Sequence, residues 1–140
     1  MTAQDNIDFA RQAYDAMAAA DVDWMLAHMH PEVVFVQGGR FPTAGTYRGP
    51  DAVLGHFLEF MTLVEGNFSM TPHDFLGSDE RVAAVITVTI GLGGRQLDFD
   101  EMHVFKIVDG LLVEMHAVPF NPYEVDEFFA SAAQTNAAAG

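Results

Sequence analysis

The run from Asp98 to Ile107 sets a carboxylate, Glu101, and an imidazole, His103, two residues apart in a segment that reads as β-strand. Side chains alternate between the two faces of a strand. One face then carries Phe99, Glu101, His103, Phe105 and Ile107, and the other Asp98, Asp100, Met102, Val104 and Lys106. The second set wants water or a charged partner, so the first is expected to face inward. An inward imidazole titrates near neutrality and can take or give a proton. The same place also suits a core histidine satisfied by a neighbouring carbonyl. Glu101 can orient His103 or act as a buried acid with a raised pKa; the bland alternative is a solvated carboxylate near a pocket mouth. Tyr14 recurs at helical spacing with Ile7, Ala10 and Met17. Its hydroxyl either enters a pocket or is satisfied within the core.

Other polar residues carry weaker signals. Gln37 and Arg40 leave an early strand, where Gln37 can orient a substrate or a water and Arg40 can attract an anion to an otherwise acidic chain. For Arg40 a solvated loop position is the simpler reading. The facing of His73 is open. His28 and His30 are two apart at a helix end, so they do not share a helical face and make a poor metal pair. Asp98 and Asp100 lack the ligand count for magnesium or calcium. No Ser-His-Asp order and no phosphate-cradling glycine loop is present, and with no Cys the chain has no disulfides, thiolate zinc sites or thiol chemistry. Neither a metal nor a bound cofactor is expected.

The elements that must hold these residues follow from pattern. Thr2 can cap a first helix through Met17, and Asp21 a second, with Val22, Met25, Leu26 and Met29 as its apolar stripe and Pro31 as its stop. Val33–Val36 reads as a short strand and Gly38–Gly49 as loop, with a short strand near Tyr47. Pro50 opens a third helix whose apolar face carries Val53, Phe57, Phe60, Met61 and Val64. Four strands are expected over Phe68–Leu76, Val82–Ile90, Gln96–Val108 and Leu111–Val118, the last two joined by the hairpin signal Asp109-Gly110. Asn121-Pro122-Tyr123-Glu124 starts a short last helix with Val125, Phe128 and Phe129 inward. Helices segregated from a meandering antiparallel sheet make an α+β fold, and a bent sheet wrapped over helices would enclose a pocket.

The 140 residues, half of them hydrophobic, suit one domain with a single core, read as residues 1–133 with a frayed tail over 134–140. Twenty acidic residues against six basic ones, a net charge of −14, argue against nucleic acid and anionic membranes as partners. The polar N-terminal segment lacks the pattern of a signal peptide, and no apolar run is long enough for a membrane span, so a cytoplasmic protein is the expectation.

Four segments, GGRFPTAGTYRGPDAVLGHF (38–57), HDFLGSDERVAAV (73–85), HVFKIVDGLLVEMHA (103–117) and NPYEVDEFF (121–129), together with the Tyr-bearing first helix, resemble the SnoaL-like branch of the nuclear transport factor 2-like superfamily. The resemblance implies a cone-shaped curved sheet wrapped over N-terminal helices, a deep apolar pocket and a homodimer formed through the outer sheet face. Relatives include ketosteroid isomerases, polyketide cyclases, dehydratases and epoxide hydrolases. In the isomerase branch a protonated Asp on the strand of His103 donates to a developing oxyanion; the position resembling it here is His103, and Tyr14 resembles the second donor. The isomerase's base, an Asp on the first strand, is replaced by Phe35-Val36-Gln37. The expected ligand is an apolar, polycyclic or terpenoid, oxygenated metabolite, held by Gln37, Arg40, Phe41, Phe57, Phe60, Met61, Phe105, Met115 and Phe120. The chain is then either an isomerase, cyclase, dehydratase or hydrolase, or a non-catalytic binder of the same ligand.

Overall fold

A computed structural model describes the backbone of residues 2–139 and the side chains of residues 2–132. Its elements run α1 (Ala3–Ala18), α2 (Val22–Ala27), β1 (Met29–Gln37), β2 (Gly45–Arg48), α3 (Pro50–Leu63), β3 (Phe68–Gly77), β4 (Arg81–Leu92), β5 (Arg95–Val108), β6 (Leu111–Pro119) and α4 (Pro122–Ala139). One six-stranded sheet has the order β2-β1-β6-β5-β4-β3. Its pairs are antiparallel except β1 with β6. The fold is α+β, with the helices gathered on one face of the sheet. The expected fraying of 134–140 lies outside the residues whose side chains are described. Among the described residues no helix is long and apolar enough to cross a membrane.

Local chemistry explains most boundaries. Thr2 Oγ1 accepts from the Asp5 amide at 3.1 Å, and Asp5 accepts from the Thr2 amide at 2.9 Å, a reciprocal cap that starts α1. Asp109 and Gly110 both sit at positive φ, 51° and 76°, as the two-residue hairpin between β5 and β6 requires. Buried positions alternate along β4 and β5, so Val82, Ala84, Ile86, Phe105 and Ile107 face the helices and form the core.

Two boundaries differ from expectation. α2 ends at Ala27, not at Pro31, and Met29 belongs to β1. The His28 ring reinforces the early stop: its Nδ1 meets the Trp24 carbonyl at 2.8 Å, the carbonyl that already accepts the His28 amide at 3.1 Å, and the ring stacks on Trp24. Pro31 lies inside β1, where the pairing with β6 shifts register between Met29 and Val34. An irregularity of this kind tolerates a missing amide donor.

α1 crosses the end of β3 closely. A Cβ at Gly77 would stand 2.8 Å from the Ala3 carbonyl oxygen and 2.9 Å from Ile7 Cγ1. Gly77→Ala is therefore expected to push α1 off the sheet and to cost about 1–3 kcal/mol, the scale of an overpacked contact. Urea denaturation checks this, and an unchanged midpoint would contradict the contact.

Candidate active site

β5 places Glu101 and His103 on the inner face, 5% and 4% exposed. The strand register explains why the ring of His103 fits there. It stands opposite Ala84 on β4 and Ala117 on β6, two small residues that leave room on both sides. Gln37, the last residue of β1, also pairs with Ala117, which brings its amide across β6 toward β5. Tyr14, 6% exposed, reaches the same spot from α1.

These four side chains form a chain of hydrogen bonds. Tyr14 Oη is 2.8 Å from His103 Nδ1, and His103 Nε2 is 3.2 Å from Glu101 Oε2. Gln37 Nε2 donates to Glu101 Oε1 at 3.0 Å and to the Gly38 carbonyl at 3.1 Å. Burial, and then the Glu101 charge, push the Tyr14 hydroxyl well above its usual range, so it stays protonated. The hydroxyl therefore keeps its proton at one ring nitrogen, Nδ1, while the carboxylate faces the other, Nε2. Glu101 thus has both oxygens engaged.

The group opens on a cavity of about 130 Å³ whose wall is otherwise aromatic and methionine-rich. Glu101, His103 and Gln37 are on that wall. So are Phe41, Phe57, Phe60, Phe105 and Met115. Tyr14 does not line it; its hydroxyl is committed to His103 behind the wall.

Three residues expected at the ligand lie elsewhere. Phe120 is 59% exposed. Met115, Ala117 and Pro119 are buried on β6, so the strand alternation turns Phe120 outward. Arg40 is exposed on the loop after β1, with its amide donating to Asp126 Oδ1 at 2.7 Å. Met61 is half-buried on α3 but stops short of the cavity. His73 sits where the β3–β4 register shifts. Its Nε2 meets Thr87 Oγ1 at 2.6 Å, and that hydroxyl donates to Asp100 on the outer face, so His73 turns away from the cavity. Among the described residues no group of three or more His, Cys, Asp or Glu is placed to hold a metal.

Several wall residues, among them Phe9, Trp24, His28, Phe35 and His56, were not expected at the cavity. His56 projects from α3, with its ring centroid 4.6 Å from that of Phe35 and 4.5 Å from that of Tyr47. The available signal was its spacing, three residues after Val53 and four before Phe60, on the apolar face of the helix. Burial lowers its pKa to about 4, against the opposing pull of the Glu101 charge and a hydrogen bond to the Thr43 backbone. The ring is neutral at neutral pH.

The profile of the SnoaL-like domain matches residues 10–115. The chain belongs to the SnoaL-like family. An uncharacterised protein of Mycobacterium tuberculosis is 24% identical to this SnoaL-like chain over 131 residues, 93% of the chain and 100% of the relative. Among solved structures, Bal32a, from a soil-derived mobile gene cassette, superposes with a TM-score of 0.86 at 25% identity, covering 91% of this chain and 98% of its own. TerC, co-crystallised with polyporic acid, superposes with a TM-score of 0.78 at 23% identity, covering 89% and 98%. The SnoaL-like architecture is that of the nuclear transport factor 2-like superfamily.

Proposed function

We propose that this SnoaL-like protein is a small-molecule enzyme that works without a bound cofactor on an apolar, oxygenated metabolite. The observation that carries the reading is the Tyr14–His103–Glu101 chain, a buried proton-transfer group on the wall of an otherwise apolar cavity. The Glu101–His103 pair takes a proton from one position of the substrate and returns it at another, so it ends each cycle as it began. Isomerisation and cyclisation balance on such a transfer alone, whereas dehydration also expels hydroxide as water and hydrolysis consumes a water that enters the cavity. Tyr14 acts through His103, as a positioning residue. The crystallisation of TerC with polyporic acid supports the view that this fold accepts organic ligands.

Size refines the substrate. An apolar cavity of about 150 Å³ holds a benzene molecule, and here the space is about 130 Å³. The space is of the order of a single small ring. A polycyclic or terpenoid ligand requires the flexible wall side chains Met17, Met25 and Met70 to move.

The second reading is a non-catalytic binder in a cytoplasmic setting. The observation that favours it is that both His103 nitrogens and both Glu101 oxygens are already bonded within the protein. Native mass spectrometry of protein isolated from its host separates the two. A retained organic molecule that purified protein converts supports the enzyme. A molecule retained and released unchanged supports the binder, and an empty cavity in host-derived protein counts against both.

The proposal includes a homodimer through the outer sheet face. Met102, Val104, Thr87, Thr89 and His116 are half-buried there, a mixture that suits a symmetric interface. Light scattering at micromolar concentration is expected to give about twice the chain mass of 15.3 kDa. A clean monomer mass would refute it.

A further inference from the structure

Gln37 has one polar atom that the protein leaves open. Its Nε2 lies 3.1 Å from the Gly38 carbonyl oxygen and 3.0 Å from Glu101 Oε1. A carbonyl oxygen can only accept, so the atom facing it must be the amide nitrogen, and the orientation of the amide is settled. Both N–H groups of that nitrogen are spent on these two acceptors. The other end, Oε1, has no hydrogen-bond partner among the described residues. It is not one of the sealed and unpartnered side-chain atoms either, which are Asn6 Oδ1, Thr43 Oγ1 and His56 Nε2. On a half-buried side chain, Oε1 is therefore an accessible acceptor.

The side chain lies on the inner face of the sheet. Gln37 shares strand parity with the buried Phe35, pairs with the buried Ala117 on β6, and lines the cavity beside Glu101 and His103. What is open on this face is open toward the cavity. Charge then limits what can sit there. The amide that carries Oε1 is bonded to the Glu101 carboxylate, and no Lys or Arg lines the cavity. A ligand carboxylate at this point would set a second anion beside the first with no Lys or Arg to balance it. An ether or ketone oxygen would meet Oε1 acceptor against acceptor and leave both unpaired. A donor is what the site selects.

We propose that Gln37 is a specificity residue of this cavity: its Oε1 accepts a hydrogen bond from a ligand hydroxyl and seats that hydroxyl beside the Glu101–His103 pair. One amide then does two things, holding Glu101 through Nε2 and the ligand through Oε1. The inference rests on the small-molecule reading above and narrows it to small alcohols and phenols, with carboxylates excluded.

The test uses 4-methylphenol and anisole, isomers of one formula that differ in the donor, with benzoate as an anion of similar size. Affinities are measured by NMR titration of the ¹³C,¹⁵N-labelled protein, and the side-chain carbonyl resonance of Gln37 is followed in the same spectra. The protein is expected to bind 4-methylphenol about tenfold more tightly than anisole, the usual scale of one buried hydrogen bond. Benzoate is expected to bind more weakly than either. The Gln37 carbonyl resonance should move with 4-methylphenol and stay with anisole. The nearness of an aromatic ring cannot produce that difference, because both probes carry the ring. A Gln37 that only braces Glu101 predicts no difference. Equal affinity for the two isomers overturns the proposal and leaves the apolar cavity intact. A phenol preference with an unmoved Gln37 carbonyl overturns it too, since the donor then docks elsewhere. Benzoate bound as tightly as 4-methylphenol does the same. Failure to bind any of the three probes overturns the small-molecule reading itself.

Discussion

His103→Gln is expected to lower turnover of a true substrate by about two to four orders of magnitude, the usual worth of general acid–base catalysis. The geometry makes this substitution informative. The glutamine amide has one acceptor and one donor end, so it can still take the Tyr14 hydroxyl and give to Glu101, the two contacts now made at 2.8 and 3.2 Å. Ala84 and Ala117 leave the space for it. What it cannot do is exchange a proton. Ligand affinity should change far less, because aromatic and methionine contacts dominate the wall. A purely structural His103 predicts the opposite pattern: stability lower by about 1–3 kcal/mol for a broken buried bond, with turnover per folded molecule preserved. Single-turnover rates set beside denaturation midpoints for the two proteins tell these apart. Normal turnover in folded His103→Gln would remove His103 from the mechanism and leave the binder as the better reading.

The inner face of β5 was legible because its alternation is unambiguous. Charged residues at 98, 100 and 106 exclude the opposite parity, so Glu101 and His103 must turn inward. The same rule extended along β6 from Met115 and Ala117 would have turned Phe120 outward, where it is found. The hairpin at Asp109-Gly110 and the Thr2 cap were legible for a similar reason, since each is decided by a few adjacent residues. Non-local placement was not. That β1 runs parallel to β6 depends on how the chain returns across the whole sheet. It is this pairing, through Ala117, that brings Gln37 to Glu101. Pro31 inside β1 was misread as a stop because the register shift that accommodates it belongs to the pair of strands and not to either segment. His56 was passed over because a lone histidine among Val53, Phe57 and Phe60 looks like one more core residue. Its significance lies in an unpaired nitrogen, and pairing is set by tertiary neighbours.

That buried ring also sets an acid limit on the fold. An exposed histidine in the unfolded chain takes up its proton near pH 6.5, whereas burial holds His56 neutral down to about 4 in the folded protein. Between these values the unfolded state binds the proton and the folded state does not, so stability must fall as pH falls from about 6.5 toward 4. Above about 6.5 both states are neutral and the ring contributes no pH dependence. The full difference corresponds to about 3 kcal/mol, an order-of-magnitude figure from 1.4 kcal/mol per pKa unit. The Tyr14 hydroxyl bounds the other side. Its folded-state pKa is raised, so stability is lost as pH rises above the usual tyrosine value of 10.0, where only the unfolded chain ionises. Urea midpoints of the wild type and His56→Phe at pH 7, 5.5 and 4.5 isolate the histidine, because the carboxylates that also protonate at low pH are common to both proteins. The variant is expected to lose stability less steeply, the gap between the two closing or reversing by about 2 kcal/mol over this range. Parallel acid limbs would show that His56 is protonated in the folded state as readily as in the unfolded chain, and that the cavity wall around it is open to water.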